Sequence, residues 1–117
     1  MTKIHDSLKL SVQETDNLMR NESRLRIATI GPGTDINLTP MTFGWANGLV
    51  YIFGRGQKVV NIRRDPTVTI LVDIGSSWRT LQGNMMRGQA LILENKAEED
   101  ADEWLSEAQM DLGIKHA

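Results

Sequence analysis

Two periods of hydrophobicity run along this chain. Arg24-Leu25-Arg26-Ile27-Ala28-Thr29-Ile30 sets Leu25, Ile27 and Thr29 on one side of an extended backbone and the arginines on the other, the alternation of a half-buried strand. Thr67 to Ile74 alternates in the same way, with Val68, Ile70, Val72 and Ile74 on one face. Between them, after turn chemistry from Gly31 to Asp35, the run Ile36 to Trp45 changes phase. Ile36 and Leu38 share one parity, Met41, Phe43 and Trp45 the other, with Pro40 at the switch; a bulge there accounts for both the shift and a proline inside a strand. Ala46-Asn47-Gly48 supplies a hairpin turn, and Leu49 to Phe53 returns apolar on both faces, the pattern of a central strand. Past a Gly75-Ser76-Ser77 turn, Arg79 to Leu93 is again extended but interrupted by Gly83 and Gly88. Glycines inside a strand imply bends or close approach of another backbone, as where a sheet curls into a barrel.

The helical period appears at three places. Ser11-Val12-Gln13-Glu14 is a capping box that predicts a helix over about 12 to 21, with Val12, Leu18 and Met19 as its apolar stripe. Gln57 to Arg64 spaces Val59 and Ile62 for a short helix that stops at Asp65-Pro66, since the residue before proline avoids the helical region. From Lys96 onward Ala97, Ala101, Trp104, Leu105, Ala108 and Leu112 fall at helical spacing, while Glu98, Glu99, Asp100, Asp102 and Glu103 crowd the first turns, where they complement the helix dipole. This acidic run reads as a solvated helix face, not a metal site. The order of elements gives a mainly β protein with added helices: a small antiparallel barrel with peripheral helices.

Composition narrows the function classes. The 117 residues fit a single domain over 1–117. A net charge of −2 supplies no general attraction for nucleic acid or acidic membranes. With no cysteine there is no disulfide, thiol nucleophile or thiolate metal site. No apolar run approaches a membrane span, and Met1 to Leu10 carries Lys3, His5, Asp6 and Lys9 in place of an apolar signal core, so the expectation is a soluble cytoplasmic protein. The only histidines, His5 and His116, lie near the termini, which argues against a triad base, a histidine metal cluster or haem ligation. Motifs for nucleophilic or nucleotide hydrolysis and for a Rossmann site are absent from the sequence, so any redox chemistry would belong to a bound cofactor.

The positive feature is Gly54-Arg55-Gly56-Gln57-Lys58. It leaves a strand, holds two glycines that let backbone approach a ligand, presents two cations and opens a helix: the parts of an anion site. The same residues also suit a solvated basic loop.

Four segments, Leu25 to Ile30, Leu38 to Phe43, Tyr51 to Val68 and Leu81 to Ala90, together resemble the pyridoxamine-phosphate-oxidase-like, flavin-binding split barrels over about residues 11 to 112. The resemblance implies a homodimer with a site at each of two equivalent interface positions, holding FMN or, in one branch, a 5-deazaflavin coenzyme. It implies that Lys58, with Arg55 and Gln57, takes the cofactor phosphate and that Asn61 orients that loop. Pro40, Met41 and Thr42 then correspond to the strand along which the flavin ring lies, and Ala28 and Thr29 floor the site. Trp78, Arg79 and Arg87 flank the strand used across the interface and are candidates for the partner chain's contribution. Against these stand plainer roles: Met41 and Phe43 as core, Thr42 as an ordinary strand residue, Arg79 as a surface charge. The family's usual last strand would begin where this chain reaches Ala117, so a split barrel lacking that strand is implied. The implied function is hydride transfer through the flavin to a small-molecule substrate or from NAD(P)H. A deazaflavin-dependent reductase, with Arg63 or Arg64 lining a groove for the longer tail, and a non-catalytic flavin carrier are the alternatives.

Overall fold

The computed structural model describes residues 11–33, 35–77 and 80–116. Its elements run α1 (Val12–Asn21), β1 (Arg24–Ile30), β2 (Ile36–Ala46), β3 (Leu49–Ile52), α2 (Gln57–Arg64), β4 (Thr67–Ile74), β5 (Gln82–Gln89), α3 (Lys96–Ala101) and α4 (Leu105–Lys115). The five strands make one antiparallel sheet, ordered β3-β2-β1-β4-β5, that curls into a half-barrel with the helices around it, a split-barrel architecture of mixed β and α. The capping box at Ser11 and Glu14 is formed in full, and the β2–β3 turn carries Asn47 and Gly48 at positive φ, the conformation a two-residue hairpin needs.

Alternation sorts the sheet into two faces. Leu25, Ile27, Phe43, Trp45, Ile70 and Val72 are buried together with Leu18 and Met19 of α1, and Met41, Val50, Ile52, Val68, Ile74 and Met86 pack against them. On the opposite face the register aligns Leu38, Ala28, Thr69 and Arg87 in one row across four strands, and Pro40, Arg26, Leu71 and Met85 in the next. Ile36, Leu38 and Met85 on this outer face are 73%, 66% and 63% exposed. Arg26 pairs there with Asp73.

Several expectations change. No bulge interrupts β2 at Pro40: its register with β1 is unbroken from Ile30↔Ile36 to Arg24↔Thr42. Ile36 and Leu38 belong to the exposed face, which is why their parity differs from that of Phe43 and Trp45. Pro40 is accommodated because β2 has only β1 beside it at that height. β3 is an edge strand, not a central one. α4 packs against it, and the Tyr51 hydroxyl donates to Asp102, the residue that caps the end of α3. The extended stretch expected over 79–93 is a strand only over Gln82–Gln89. Val12 is 90% exposed and takes no part in the stripe of α1.

Close backbone approach falls on Gly44, not on Gly83 or Gly88. A Cβ at Gly44 would stand 2.2 Å from the carbonyl oxygen of Ala108 in α4, whereas at Gly83 its nearest neighbours are 3.6 Å away and at Gly88 nothing lies within 4 Å. Lys115 closes the same region: its ammonium pairs with Asp111 at 2.8 Å, donates to the Met19 carbonyl at 2.8 Å and lies 3.8 Å from the centre of the Phe43 ring. One side chain thus ties α4 to α1 and β2.

The single C-terminal helix read from the sequence is two helices, broken at Asp102. The Asp102 carboxylate accepts from the Trp104 N–H at 3.1 Å and from the Tyr51 hydroxyl at 2.7 Å, so a turn and a tertiary tether compete there with helix continuation. Burial first, then the Asp102 carboxylate, pushes the Tyr51 hydroxyl up from 10.0 to about 12. The folded chain thus holds this proton longer than the unfolded chain. The stabilisation is complete below about pH 10 and is lost as pH rises through about 12. Tyr51 is the only tyrosine, so tyrosinate absorbance reports it alone. Native protein is expected to titrate near 12 against 10.0 in denaturant, and Asp102→Asn to bring the native midpoint part of the way down. A native midpoint at 10.0 would show that Tyr51 is solvated.

Candidate functional site

The β2–β3 ladder begins at Ala46↔Leu49 and ends at Phe43↔Ile52. Beyond it the chain leaves β3 through Phe53, Gly54, Arg55 and Gly56, while β2 runs on to Ile36 with β1 alone as neighbour. Among the described residues, the second edge of Ile36–Thr42 therefore carries backbone donors and acceptors with no strand beside them. At its end sits the basic loop. Gly56, at φ 93°, turns the chain into α2, a conformation glycine adopts without a Cβ penalty. It also makes the cap without a side-chain hydrogen bond; the Val59 N–H donates back to the Gly56 carbonyl at 3.1 Å, which leaves the N–H groups of Gln57 and Lys58 without a backbone acceptor among the described residues.

Lys58, Met41 and Gly54 meet at one point. A Cβ on Gly54 would lie 2.6 Å from Lys58 Cε and 2.8 Å from Met41 Cε, so the glycine is the seat on which both side chains rest. Lys58 Nζ donates to the Arg55 carbonyl at 2.8 Å, which holds the ammonium over the loop and leaves further donors directed away from it. Arg55 is exposed beside it. The start of α2, the Lys58 ammonium and the exposed Arg55 thus lie within one short stretch, the groups from which an anion site is built.

Behind the loop, Asn61 and Thr29 are 0% and 1% exposed. Asn61 Nδ2 donates to Thr29 Oγ1 at 3.1 Å, and Asn61 Oδ1 accepts from Gln57 Nε2 at 2.8 Å and from Arg64 Nη2 at 3.2 Å. Arg64 also donates to the Ile30 carbonyl at 2.9 Å, and Arg63 grips Glu94 with two hydrogen bonds of 3.1 and 2.7 Å.

The residues expected to form one site fall into two groups. Met41, Arg55, Gln57 and Lys58 cluster at the loop, with Thr29 and Asn61 buried beneath. Pro40, Thr42, Ala28 and Arg87 take the parity of the outer face, so Ala28 and Thr29 point to opposite sides of β1. Trp78 and Arg79 lie outside the described residues. Phe43 is core. A cleft of about 650 Å³ beside Val12, Asp16 and Trp45 and another of about 310 Å³ beside Leu91, Leu93 and Ala101 are lined by none of the loop residues. Among the described residues no cluster of histidine and carboxylate groups could hold a metal ion, and no helix is long and apolar enough to cross a membrane. Sequence reading missed the bare edge of β2 and the seat at Gly54. A glycine between an apolar strand and a basic loop was the available signal for the second.

Fold and site together define a split-barrel β+α protein with a basic, glycine-rich loop beside an open strand edge. Neither a family model nor a curated protein matches the sequence. Solved structures do. A conserved hypothetical protein from Mycobacterium tuberculosis shares 32% identity at a TM-score of 0.75 over 82% of this chain and 61% of that one. The present chain thus spans about three fifths of that protein's length. An FAD-binding protein from Mesorhizobium loti matches at 20% identity and TM-score 0.72, covering 90% of this chain and 75% of its own. An FAD-binding protein from Mycobacterium smegmatis matches at 21% and 0.63, covering 86% and 80%. At these identities the last two establish the shared fold.

Proposed function

We propose that this chain binds a flavin, specifically FMN, at the loop Gly54–Lys58 and the open edge of β2, and works as a homodimeric flavin-dependent oxidoreductase. The observation that carries the reading is the juxtaposition of an anion cradle with a bare stretch of backbone. A flavin mononucleotide needs both, because it ends in a phosphate and its ring presents alternating acceptors and a donor along one edge. Lys58, Arg55 and the first turn of α2 would hold the phosphate; Met41 and the backbone from Pro40 to Thr42 would lie along the ring. The bound flavin would supply the capacity to take and give hydride, with NAD(P)H as a candidate donor and a small molecule as acceptor. The names of the FAD-binding structures support a flavin in this fold.

Two features favour FMN over a longer deazaflavin coenzyme. Arg63 is engaged with Glu94, and Arg64 with Ile30 and Asn61, so neither lines a groove for an extended anionic tail. The remaining cations serve a single phosphate. The exposed outer face supports the dimer: it carries Ile36, Leu38 and Met85, apolar side chains that a second copy would cover, and presents Arg87 as a partner contribution. A cytoplasmic setting, where flavin and nicotinamide are both supplied, belongs to the same proposal.

Lys58→Ala is expected to weaken FMN affinity by roughly ten- to a hundredfold, the scale of one charge-assisted hydrogen bond, in a fluorescence titration. Equal affinity in both proteins would remove the site assignment. Bleaching of bound flavin by NADH or NADPH separates an oxidoreductase from a carrier.

A further inference from the structure

The end of the chain is strongly acidic: residues 94–117 hold eight carboxylates against Lys96 and Lys115, in a protein whose net charge is only −2. Three of the eight are paired with cations: Glu94 with Arg63, Asp100 with Lys96 and Asp111 with Lys115. Glu99, Glu103 and Glu107 are exposed. Glu98 and Asp102 stand instead at a cleft of about 310 Å³, whose other walls are Leu91, Ile92, Leu93 and Ala101. Both carboxylates take neutral donors. Glu98 Oε2 accepts from the Glu94 N–H at 2.6 Å, and Asp102 Oδ1 from the Tyr51 hydroxyl at 2.7 Å and the Trp104 N–H at 3.1 Å, so among the described residues neither is paired with a cation.

We infer that this cleft binds a small organic monocation with an apolar body, an alkylammonium or arylalkylammonium. Its volume lies at the small end of the range for ligand sites, and its lining has the usual make-up of such sites, mostly apolar with a few polar groups. Leu91 is 85% exposed, so it adds little burial to the fold and its side chain is open to an apolar ligand. The charge decides the other half of the ligand. A neutral molecule would desolvate two carboxylates with nothing in return, and an anion would be repelled by both. A cation with an apolar chain satisfies the carboxylates and the walls together. The cleft shares no residue with the loop Gly54–Lys58, so this site stands or falls independently of the flavin reading.

The test uses hexylammonium, 1-hexanol and hexanoate, three probes of similar length with positive, neutral and negative ends, titrated into the full chain at neutral pH while amide resonances are followed by NMR. Hexylammonium is expected to give saturable shifts over residues 91–93 and 98–102 and to bind about tenfold more tightly than hexanol, with no saturation by hexanoate. Glu98→Gln keeps an oxygen for the Glu94 N–H and removes the charge; it should narrow the ratio of hexylammonium to hexanol affinity by roughly three- to fivefold, the scale of one part-exposed charge pair. Glu99→Gln removes a neighbouring charge that does not line the cleft and should leave the ratio as it is. Asn95 caps α3 in both variants, so neither change removes the helix cap. Equal affinity for hexylammonium and hexanol, an equal loss in Glu98→Gln and Glu99→Gln, or no saturable shift with any of the three probes overturns the assignment.

Discussion

Gly44→Ala is expected to lower the thermal midpoint by on the order of 10 °C and to release α4 from the sheet. The added methyl would meet the Ala108 carbonyl oxygen at 2.2 Å, its carbon at 2.9 Å and its Cα at 3.2 Å, all backbone atoms of a helix. No side chain can turn aside to make room; α4 itself must retreat. That retreat would draw Asp111 away from the Trp45 N–H, which it accepts at 2.8 Å, and Lys115 away from Met19. Overpacking of this kind costs roughly 1 to 3 kcal/mol where side chains can adapt, and more where backbone must move. A calorimetric scan measures the midpoint, and amide hydrogen exchange over residues 105–115 reports the detachment. A variant that melts with the wild type would mean that α4 does not lie against β2 at this height.

Lys115→Met should destabilise the fold by roughly 3 to 5 kcal/mol, the cost of leaving one partner of a buried ion pair alone. Lys115 and Asp111 side chains are 3% and 14% exposed, and the ammonium also satisfies the Met19 carbonyl. The double variant Lys115→Met with Asp111→Asn should recover part of the loss. Asparagine keeps an oxygen for the Trp45 N–H and removes the orphaned charge. Denaturant unfolding of wild type, both single variants and the double variant gives the coupling. Burial pushes the Lys115 ammonium below 10.5, so the unfolded chain holds that proton more tightly than the folded one. The contribution of this group to stability therefore rises with pH between the depressed value and 10.5. Lys115→Met should abolish that rise; a variant with unchanged stability and pH dependence would show that the buried cage of Lys115 contributes nothing.

Most of the fold was legible because its signals are local. β1, β4 and α2 carry a clear period between explicit stops, and they occupy the residues that period assigns. The hairpin turn and the capping box are likewise written in the residues that form them. What was not legible is what depends on a neighbour. Leu49–Ile52 reads the same whether strands or helices cover its second face, so its edge position was hidden. At the break, Asp102 accepts from a hydroxyl on β3, 51 residues away along the chain. The close approach at Gly44 was hidden because a strand glycine does not announce which backbone will meet it.

The site divides along the same line. The loop Gly54–Lys58 offered its charges, glycines and helix start in sequence, and in the structure Lys58 rests on Gly54 and donates to the Arg55 carbonyl at the start of α2. Strand parity puts Ala28 opposite Thr29, a separation already present in the alternation of β1. Asn61, by contrast, gives no hint in sequence that its amide is engaged with Thr29, Gln57 and Arg64. Lys115 left one unused signal: Asp111 stands four residues before it, an ion-pair spacing on a helix.

The central claim is that this fold holds a flavin by its phosphate, and the direct measurement is the identity of what the protein carries and takes up. Protein purified without added cofactor would be acid-treated, the released pigment weighed by mass spectrometry, and the stripped chain titrated with FMN, FAD and a 5-deazaflavin coenzyme. Release of FMN, or saturable uptake of one FMN per protomer in preference to the other two, is the predicted result. A colourless protein that takes up none of the three would contradict the account and leave a split barrel whose basic loop serves another anion.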